Sequence, residues 1–327
     1  MNTMKTPNER RRVVIVGSTA WGKSALALEL SRVLGDCELI SVDSMQVYRR
    51  MDIGTAKPTP AEREQVAHHM IDLIEPSVDS SVGWFQDVAH GVLADLARRD
   101  KRPVFVGGTG LYHRVVVDDM ELPPSIPELR AELEGAYEQA VGRGPEEAAS
   151  HTAELLARLR VVDPETAATC EANNARRMIR ALEVSLGTGR PFSSYGPGME
   201  QYPPTEDLMI GLEVPREVML PLLTERVHAM MRAGFSDEVR MLAAEEPPMG
   251  VTARQALGYR ELLRHVRGEW TLQEAVEDTI IRTRQFAVRQ HRWFRRDPRV
   301  TWVEAPLNDR RKIASLAGSI ADTLRHG

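Results

Sequence analysis

Short apolar runs alternate with longer stretches of helical period along this chain. Val13-Val14-Ile15-Val16 reads as a buried strand, and Ala25, Leu26, Leu28, Leu30, Val33 and Leu34 after it follow a helix. Cys37-Glu38-Leu39-Ile40-Ser41-Val42 and Pro103-Val104-Phe105-Val106 repeat the strand pattern, and Leu208-Met209-Ile210-Gly211-Leu212 resumes it much later. Between them, Trp84 to Asp100 sets Phe85, Val88, Ala89, Val92, Leu93 and Leu96 on one side of an amphipathic helix. Strands alternating with helices in this way predict an α/β fold with a parallel sheet.

The texture changes between two Pro-rich stretches, Leu122-Pro123-Pro124 and Tyr202-Pro203-Pro204. Pro127 to Leu186 is almost wholly helical in pattern, broken only at Gly142-Arg143-Gly144-Pro145. The expected organisation is a core in two parts, 12–120 and 205–327, with a helical module inserted over 121–204. The second part of the core ends in helices, from about Arg216 to Ala233, from Arg254 onward, and from Thr279 to Arg296.

The loop after the first strand adds chemistry. Gly17-Ser18-Thr19-Ala20-Trp21-Gly22-Lys23-Ser24 matches G-x-x-x-x-G-K-S, with the strand before it and the helix after it that a phosphate-binding loop requires. Gly17 and Gly22 permit the angles and close approach that let successive N–H groups face phosphate oxygens. Lys23 adds charge at a helix N-terminus, and Ser24 can place a hydroxyl on a magnesium ion. The pattern predicts a P-loop NTPase-like core, whose default owner is a nucleotide kinase or NTPase.

Later residues argue against that default. Asp43 follows the second strand, so it would share the crevice off the strand ends as a magnesium ligand, a proton acceptor or a turn aspartate. Met51 to Pro58 is irregular, as functional loops are, and the adjacent His68 and His69 point apart, which favours structural hydrogen bonding over metal binding. The third strand ends in Gly107-Gly108-Thr109-Gly110, where a hydrolysing enzyme of this class carries an acidic residue; Thr109 is the natural ligand contact.

Arg226 lies within the apolar stripe of Met219, Leu222, Leu223, Val227 and Met230, so its guanidinium must meet an internal carboxylate or a bound diphosphate. Arg176, Arg177 and Arg180 share one side of a helix near Asn173 and Asn174, as a solvated face or a contact surface would. In the last long helix, Arg282, Arg289 and Arg296 recur beside Phe286 and Trp293. Such an arrangement suits a nucleic-acid backbone and unstacked bases, although a core stripe accounts for the aromatics equally well.

Composition narrows the classes. With 327 residues, 27% of them charged and a net charge of −5, the whole chain does not announce nucleic acid, so any such role must be local. Cys37 and Cys170 cannot form a disulfide framework and are expected to be small core residues. The start of the chain, Met1 to Arg12, is polar and basic, and no run resembles a signal peptide or membrane span, which predicts a cytoplasmic protein.

The stretches GSTAWGKS, LISVDSMQVYRRMDIGTAKP, HHMIDLIEP, VFVGGTGLY, RRMIRALEV, QALGYREL and TRQFAVRQHRWFR, in that order, resemble the bacterial tRNA dimethylallyltransferases from about Val13 to Trp302. The resemblance implies transfer of a dimethylallyl group from dimethylallyl diphosphate to N6 of the adenine just 3′ of the anticodon. Asp43 then corresponds to the base that takes the N6 proton, and Ser44, Met45 and Gln46 to its neighbours around the flipped-out adenine. Gly17 to Ser24 would hold the diphosphate, with Lys23, Thr109 and Arg226 around the leaving group and Mg2+ on Ser24.

Arg130, Arg176, Arg177, Arg180, Gln255, Gly258, Tyr259, Arg282 and Arg289 match positions that contact the tRNA anticodon stem-loop. The implied enzyme is a monomer without a membrane partner. Two residues depart from the family pattern. Trp21 replaces a small residue and would reshape the isoprenoid pocket, and Arg176 replaces a glutamine that would bond a base. An adenylate isopentenyltransferase, a small-molecule kinase and a non-catalytic RNA-binding protein are the competing readings.

Overall fold

The computed structural model describes residues 11–195, 198 and 201–326; the basic start of the chain at positions 1–10 therefore lies outside the described residues. The chain divides into two units, one running to Asp118 and resuming at Tyr202, the other Asp119–Gln201.

The first unit is built on a six-stranded parallel sheet of β1 (Val13–Gly17), β2 (Cys37–Val42), β3 (His68–His69), β4 (Arg102–Gly107), β5 (Leu208–Glu213) and β6 (Thr301–Glu304). Its order is β3-β2-β4-β1-β5-β6, and β1, at the centre, is buried along its whole length between β4 and β5. All strands run the same way, so their carboxyl ends open on one edge. Val42 lies opposite Gly107, and Gly17 opposite Leu212. The turns after β1, β2 and β4 therefore emerge side by side.

Helices α1 (Lys23–Leu34), α2 (Pro60–Gln65), α3 (Val82–Arg98) and α4 (Gly110–Val117) belong to the first half of this unit. The inserted unit holds α5 (Pro127–Arg143), α6 (Pro145–Val162), α7 (Pro164–Thr169) and α8 (Ala175–Thr188). The first of these helices, and α6 and α7 after it, open on prolines, whose missing N–H is harmless in a first turn. Leu133, Leu155, Leu159, Met178 and Leu182 form the core of this unit. The chain then returns to the sheet and adds α9 (Arg216–Arg232), α10 (Phe235–Ala243), α11 (Val251–Arg254), α12 (Tyr259–Val266), α13 (Leu272–Phe294) and α14 (Arg310–His326). Among the described residues no helix is long and apolar enough to cross a membrane.

Several elements differ from the pattern in the sequence. The third helix starts at Val82, before Trp84, because the Ser81 side chain accepts the Trp84 amide at 3.2 Å. Thr271 and Glu274 form a capping box that starts α13 well ahead of Thr279. Neither β6 nor α14 is evident from apolar pattern alone; α14 shares a core cluster with α1 through Ala317, Ile320 and Ala321. Cys37 is buried as expected, and Cys170, at the end of α7, is partly exposed but packs against the core of the inserted unit.

The irregular stretch after β2 is fixed from behind by buried charge. Lys57 is buried, and its ammonium donates to the Tyr48 carbonyl, Asp52 Oδ1 and Asp72 Oδ1, each at 2.6 Å. Glu238, on α10, is 5% exposed and accepts the amides of Asp52, Ile53 and Gly54 at 3.0, 2.7 and 3.2 Å, together with the Tyr259 hydroxyl at 2.5 Å. Gly54 is obligatory here, since a Cβ would stand 2.2 Å from the Phe235 ring. The paired histidines are structural: His68 Nδ1 meets the Val66 carbonyl at 2.9 Å and His69 Nε2 meets Glu38 at 2.7 Å.

Replacing Glu238 by Ala strands those amides and the tyrosine hydroxyl inside the protein. The variant should lose about 3 kcal/mol or more of stability, read as a lower midpoint in urea denaturation.

Candidate active site

The loop between β1 and α1 is folded as an anion cradle. Ala20 has φ 68° and Gly22 φ 84°, left-handed values that turn successive amides toward one side. Among the described residues the amides of Ala20 through Ser24 meet no protein acceptor; the first helical bond runs from Leu26 to the Gly22 carbonyl at 3.0 Å. A run of unpaired donors at a helix N-terminus is a site for anionic oxygens. Lys23 reaches back to the Ser18 carbonyl at 2.8 Å, and Ser24 is exposed on the first turn.

Opposite the cradle stand Asp43 and Arg226. Asp43 follows β2 and accepts the Met45 amide on Oδ1 at 2.8 Å, so the turn-aspartate reading is correct but incomplete. Its carboxyl also lines the cleft, where burial raises its pKa against the opposing pull of the Met45 and Gln46 amides, Lys23 and Arg226. Arg226, on α9, has no hydrogen bond or ion pair among the described residues. The internal carboxylate considered for it from sequence does not pair with it among the described residues; Asp43 acts on it without a hydrogen bond, and burial lowers its pKa. Lys23 falls from an ordinary 10.5 to about 7, through burial first and then repulsion by Arg226. Arg226 thus adds to the burial that depresses Lys23, and Asp43 is the carboxylate that opposes both effects.

The cleft has two chambers, of about 290 Å³ and 380 Å³, which share Thr19, Asp43, Thr55, Arg226 and Phe286. The smaller contains the cradle from Thr19 to Ser24, with Gly107 and Gly108. The larger contains Ser44, Met45, Thr109, Gln255, Arg282 and Arg289. Arg289 is exposed and unpaired among the described residues. Thr109 begins α4 without a side-chain capping bond, which leaves its hydroxyl toward the larger chamber.

Other candidates are spoken for. Gln46 uses its whole amide internally, accepting from Ser41 Oγ at 2.7 Å and donating to the Thr55 and Ala56 carbonyls at 3.1 and 3.3 Å; it shapes the wall and is not free to read a base. Tyr259 is 0% exposed with its hydroxyl on Glu238, and Gly258 (φ 86°) is packed under Phe235, so both are core residues and not surface contacts. Arg282 is held by Asp278 at 2.7 Å and Glu261 at 3.4 Å. The Trp293 ring packs where a Gly110 Cβ would sit, at 2.2 Å, and is core rather than a stacking platform.

In the inserted unit, Arg180 donates to the Pro123 carbonyl at 2.8 Å and pairs with Glu183 at 2.8 Å, and Arg130 pairs with Glu134 at 2.9 Å. Arg180 and Glu183 are an i, i+3 pair along α8, and Arg130 and Glu134 an i, i+4 pair along α5. Arg176 and Arg177 remain exposed without side-chain partners among the described residues. Trp21 is 2% exposed and meets His291 edge-on, with ring centroids 5.5 Å apart, while bordering the smaller chamber.

Sequence pattern did not single out Glu238, Lys57, Thr55, Asn308 or Gln290, although each shapes or lines the cleft. The signal for Gln290 was present as a polar residue on the buried stripe Thr279, Thr283, Ala287 and Gln290 of α13. Lys57 and Glu238 gave none, because no periodicity along the chain marks which polar groups will be buried together.

The IPP transferase family model matches residues 46–297. A tRNA dimethylallyltransferase of Pseudarthrobacter chlorophenolicus is 46% identical over 292 residues, covering 89% of this chain and 93% of that one. A tRNA dimethylallyltransferase of Streptomyces coelicolor is 43% identical over 316 residues, 97% of each. Among solved structures, the tRNA isopentenylpyrophosphate transferase of Bacillus halodurans superposes with a TM-score of 0.67 at 36% identity over 97% of each chain. A eukaryotic dimethylallyltransferase acting on tRNA shares the fold, at TM-score 0.72 and 23% identity, over 96% of this chain and 80% of that one. With a family model matched over most of the chain, relatives aligned over 89% and 97% of it, and a cleft that pairs an anion cradle with a carboxylate, the chain belongs to the IPP transferase family of tRNA dimethylallyltransferases.

Proposed function

We propose that this protein transfers a dimethylallyl group from dimethylallyl diphosphate to N6 of the adenine 3′-adjacent to the anticodon of tRNA, releasing diphosphate. The observation that carries this reading is Arg226: a guanidinium facing the cleft beside Lys23, with no ion pair among the described residues. That arrangement calls for a ligand with several anionic oxygens, and a diphosphate fits it.

In the proposed reaction the allylic C–O bond breaks with both electrons leaving on the diphosphate. The unpaired amides from Ala20 to Ser24, Lys23, Arg226 and Thr109 are placed to meet that growing charge. The adenine N6 forms the new C–N bond and gives its proton to Asp43. The larger chamber, with Asp43 at the junction, is where an adenine turned out of the anticodon loop would enter.

Ser24 bears an exposed hydroxyl on the chamber with no partner among the described residues, and suits Mg2+, an ion that takes few protein ligands beside substrate phosphates. Such an ion, when bound, would screen the diphosphate charge. Arg289, Gln255, Arg176 and Arg177 are the side chains available to the tRNA backbone. A monomeric, cytoplasmic enzyme is the matching form.

Incubating the protein with labelled dimethylallyl diphosphate, magnesium and unmodified tRNA, followed by nucleoside analysis, tests the reading directly. Modification of free AMP in preference to an anticodon stem-loop would reassign it to the adenylate transferases, and γ-phosphate transfer from ATP without prenyl transfer would make it a kinase.

Asp43→Asn removes the base while keeping the shape of the turn, and kcat should fall about 10²- to 10⁴-fold with tRNA affinity within twofold. Arg226→Ala should weaken donor binding about 30- to 100-fold, seen in the KM for dimethylallyl diphosphate.

The Lys23 pKa of about 7 gives a pH signature. An arriving diphosphate favours the charged amine and raises that value, so binding takes up a proton above neutrality and affinity declines as pH rises through about 7. Calorimetry in buffers of different ionisation enthalpy should show the uptake. Because burial raises Asp43, the rate should also fall on the acid side as its carboxylate is protonated.

A further inference from the structure

The buried stripe of α13 is polar where a packed helix is normally apolar. Thr279 and Thr283 satisfy themselves, each donating to a carbonyl of its own helix at 2.7 Å. Gln290 does not. It is 7% exposed, its Oε1 accepts the Thr19 amide at 3.0 Å, and its Nε2 donates to the Gly108 carbonyl at 2.9 Å. One turn earlier, the Ala287 carbonyl accepts the hydroxyl of Ser18, a residue with 0% exposure.

The two loops joined by that amide carry different parts of the cleft. Thr19 is the shoulder of the phosphate loop, immediately ahead of the unpaired donors from Ala20 to Ser24. Gly108 precedes Thr109 at the end of β4. No backbone hydrogen bond links these loops among the described residues. A primary amide can accept from one main chain and donate to another at once through two separate atoms; a carboxylate lacks the donor and a thioether lacks both functions in useful strength. A Cβ on Gly108 would lie 2.2 Å from Gln290 Nε2, so any side chain there must displace the amide.

We propose that Gln290 is a positioning residue for the departing diphosphate, holding the phosphate loop and the Thr109 turn at a fixed separation. It touches no reacting atom. Donors that stabilise charge developing in a transition state act in proportion to how little they must move, and those on two loops that share no hydrogen bond beyond the ladder of β1 and β4 hold their separation better when something ties them. This inference rests on the diphosphate-transfer reading above and adds to it the device that sets the geometry.

The test compares wild type, Gln290→Met and Gly108→Ala. The first removes both bonds at similar volume, and the second leaves the glutamine in the chain but displaces its amide. For both, kcat/KM for dimethylallyl diphosphate should fall about 30-fold, and the affinity for inorganic diphosphate, by calorimetry, should weaken about tenfold. The KM for tRNA should stay within twofold. A donor kcat/KM within twofold of wild type in both variants, or equal losses toward donor and tRNA, would overturn the proposal. If the wild-type protein transfers no prenyl group, the functional reading fails, while weakened inorganic diphosphate binding in the variants still reports on the clasp.

Discussion

Unbalanced positive charge inside a cleft is the constraint around which this molecule is arranged. Lys23 and Arg226 face the same space, each costing desolvation and each raising the cost of the other, with only Asp43 in opposition. A buried guanidinium without a carboxylate is unfavourable by several kcal/mol as an order of magnitude, so folding must supply that energy from elsewhere. The surrounding architecture does so. A central strand buried over its whole length and an extensive apolar cluster on each side of the sheet hold the charges together against their repulsion.

The cleft walls show how irregular chain can be made stiff. Residues after β2 form no regular element up to Pro58, yet the Glu238 carboxylate takes the amides of Asp52 to Gly54 and the Lys57 ammonium fills the same loop from within. Each of these buried charges has its hydrogen bonds met, the condition under which burial of charge rigidifies instead of destabilising. Gln46 completes the wall by bonding the Thr55 and Ala56 carbonyls, which keeps Thr55 at the junction of the chambers. Residues that from sequence look like substrate contacts can thus be masonry. The chemistry then falls to the few side chains left unpaired.

The last long helix of the core illustrates the same division. Its arginines recur at a spacing that places them on one stripe, but their fates differ with what faces them: Arg282 meets Asp278 and Glu261, whereas Arg289 meets open cleft. Trp293 turns inward over Gly110, and Phe286 sits where the chambers join. One helix therefore serves as structural strut and cleft wall and leaves Arg289 open to solvent, according to the neighbour each turn encounters.

By itself the sequence determined the local structure and the chemical vocabulary. The phosphate loop between β1 and α1, the strand ending in Asp43, the glycine-rich turn after β4 and the helical insertion were legible, because each depends on residues close in the chain and on periodicities of two or 3.6. The oddity of Arg226 was legible too, as a charge on an apolar stripe. Only the tertiary structure decided which charges stay free. Arg282 and Tyr259 looked as available as Arg289, but their partners Glu261 and Glu238 could be matched to them only once the helices had packed. Glu238 was invisible for the same reason, and Gln290 showed only as a polar residue on a buried stripe, without its partners: pairing between buried polar groups is a long-range property, and no pattern along one segment carries it.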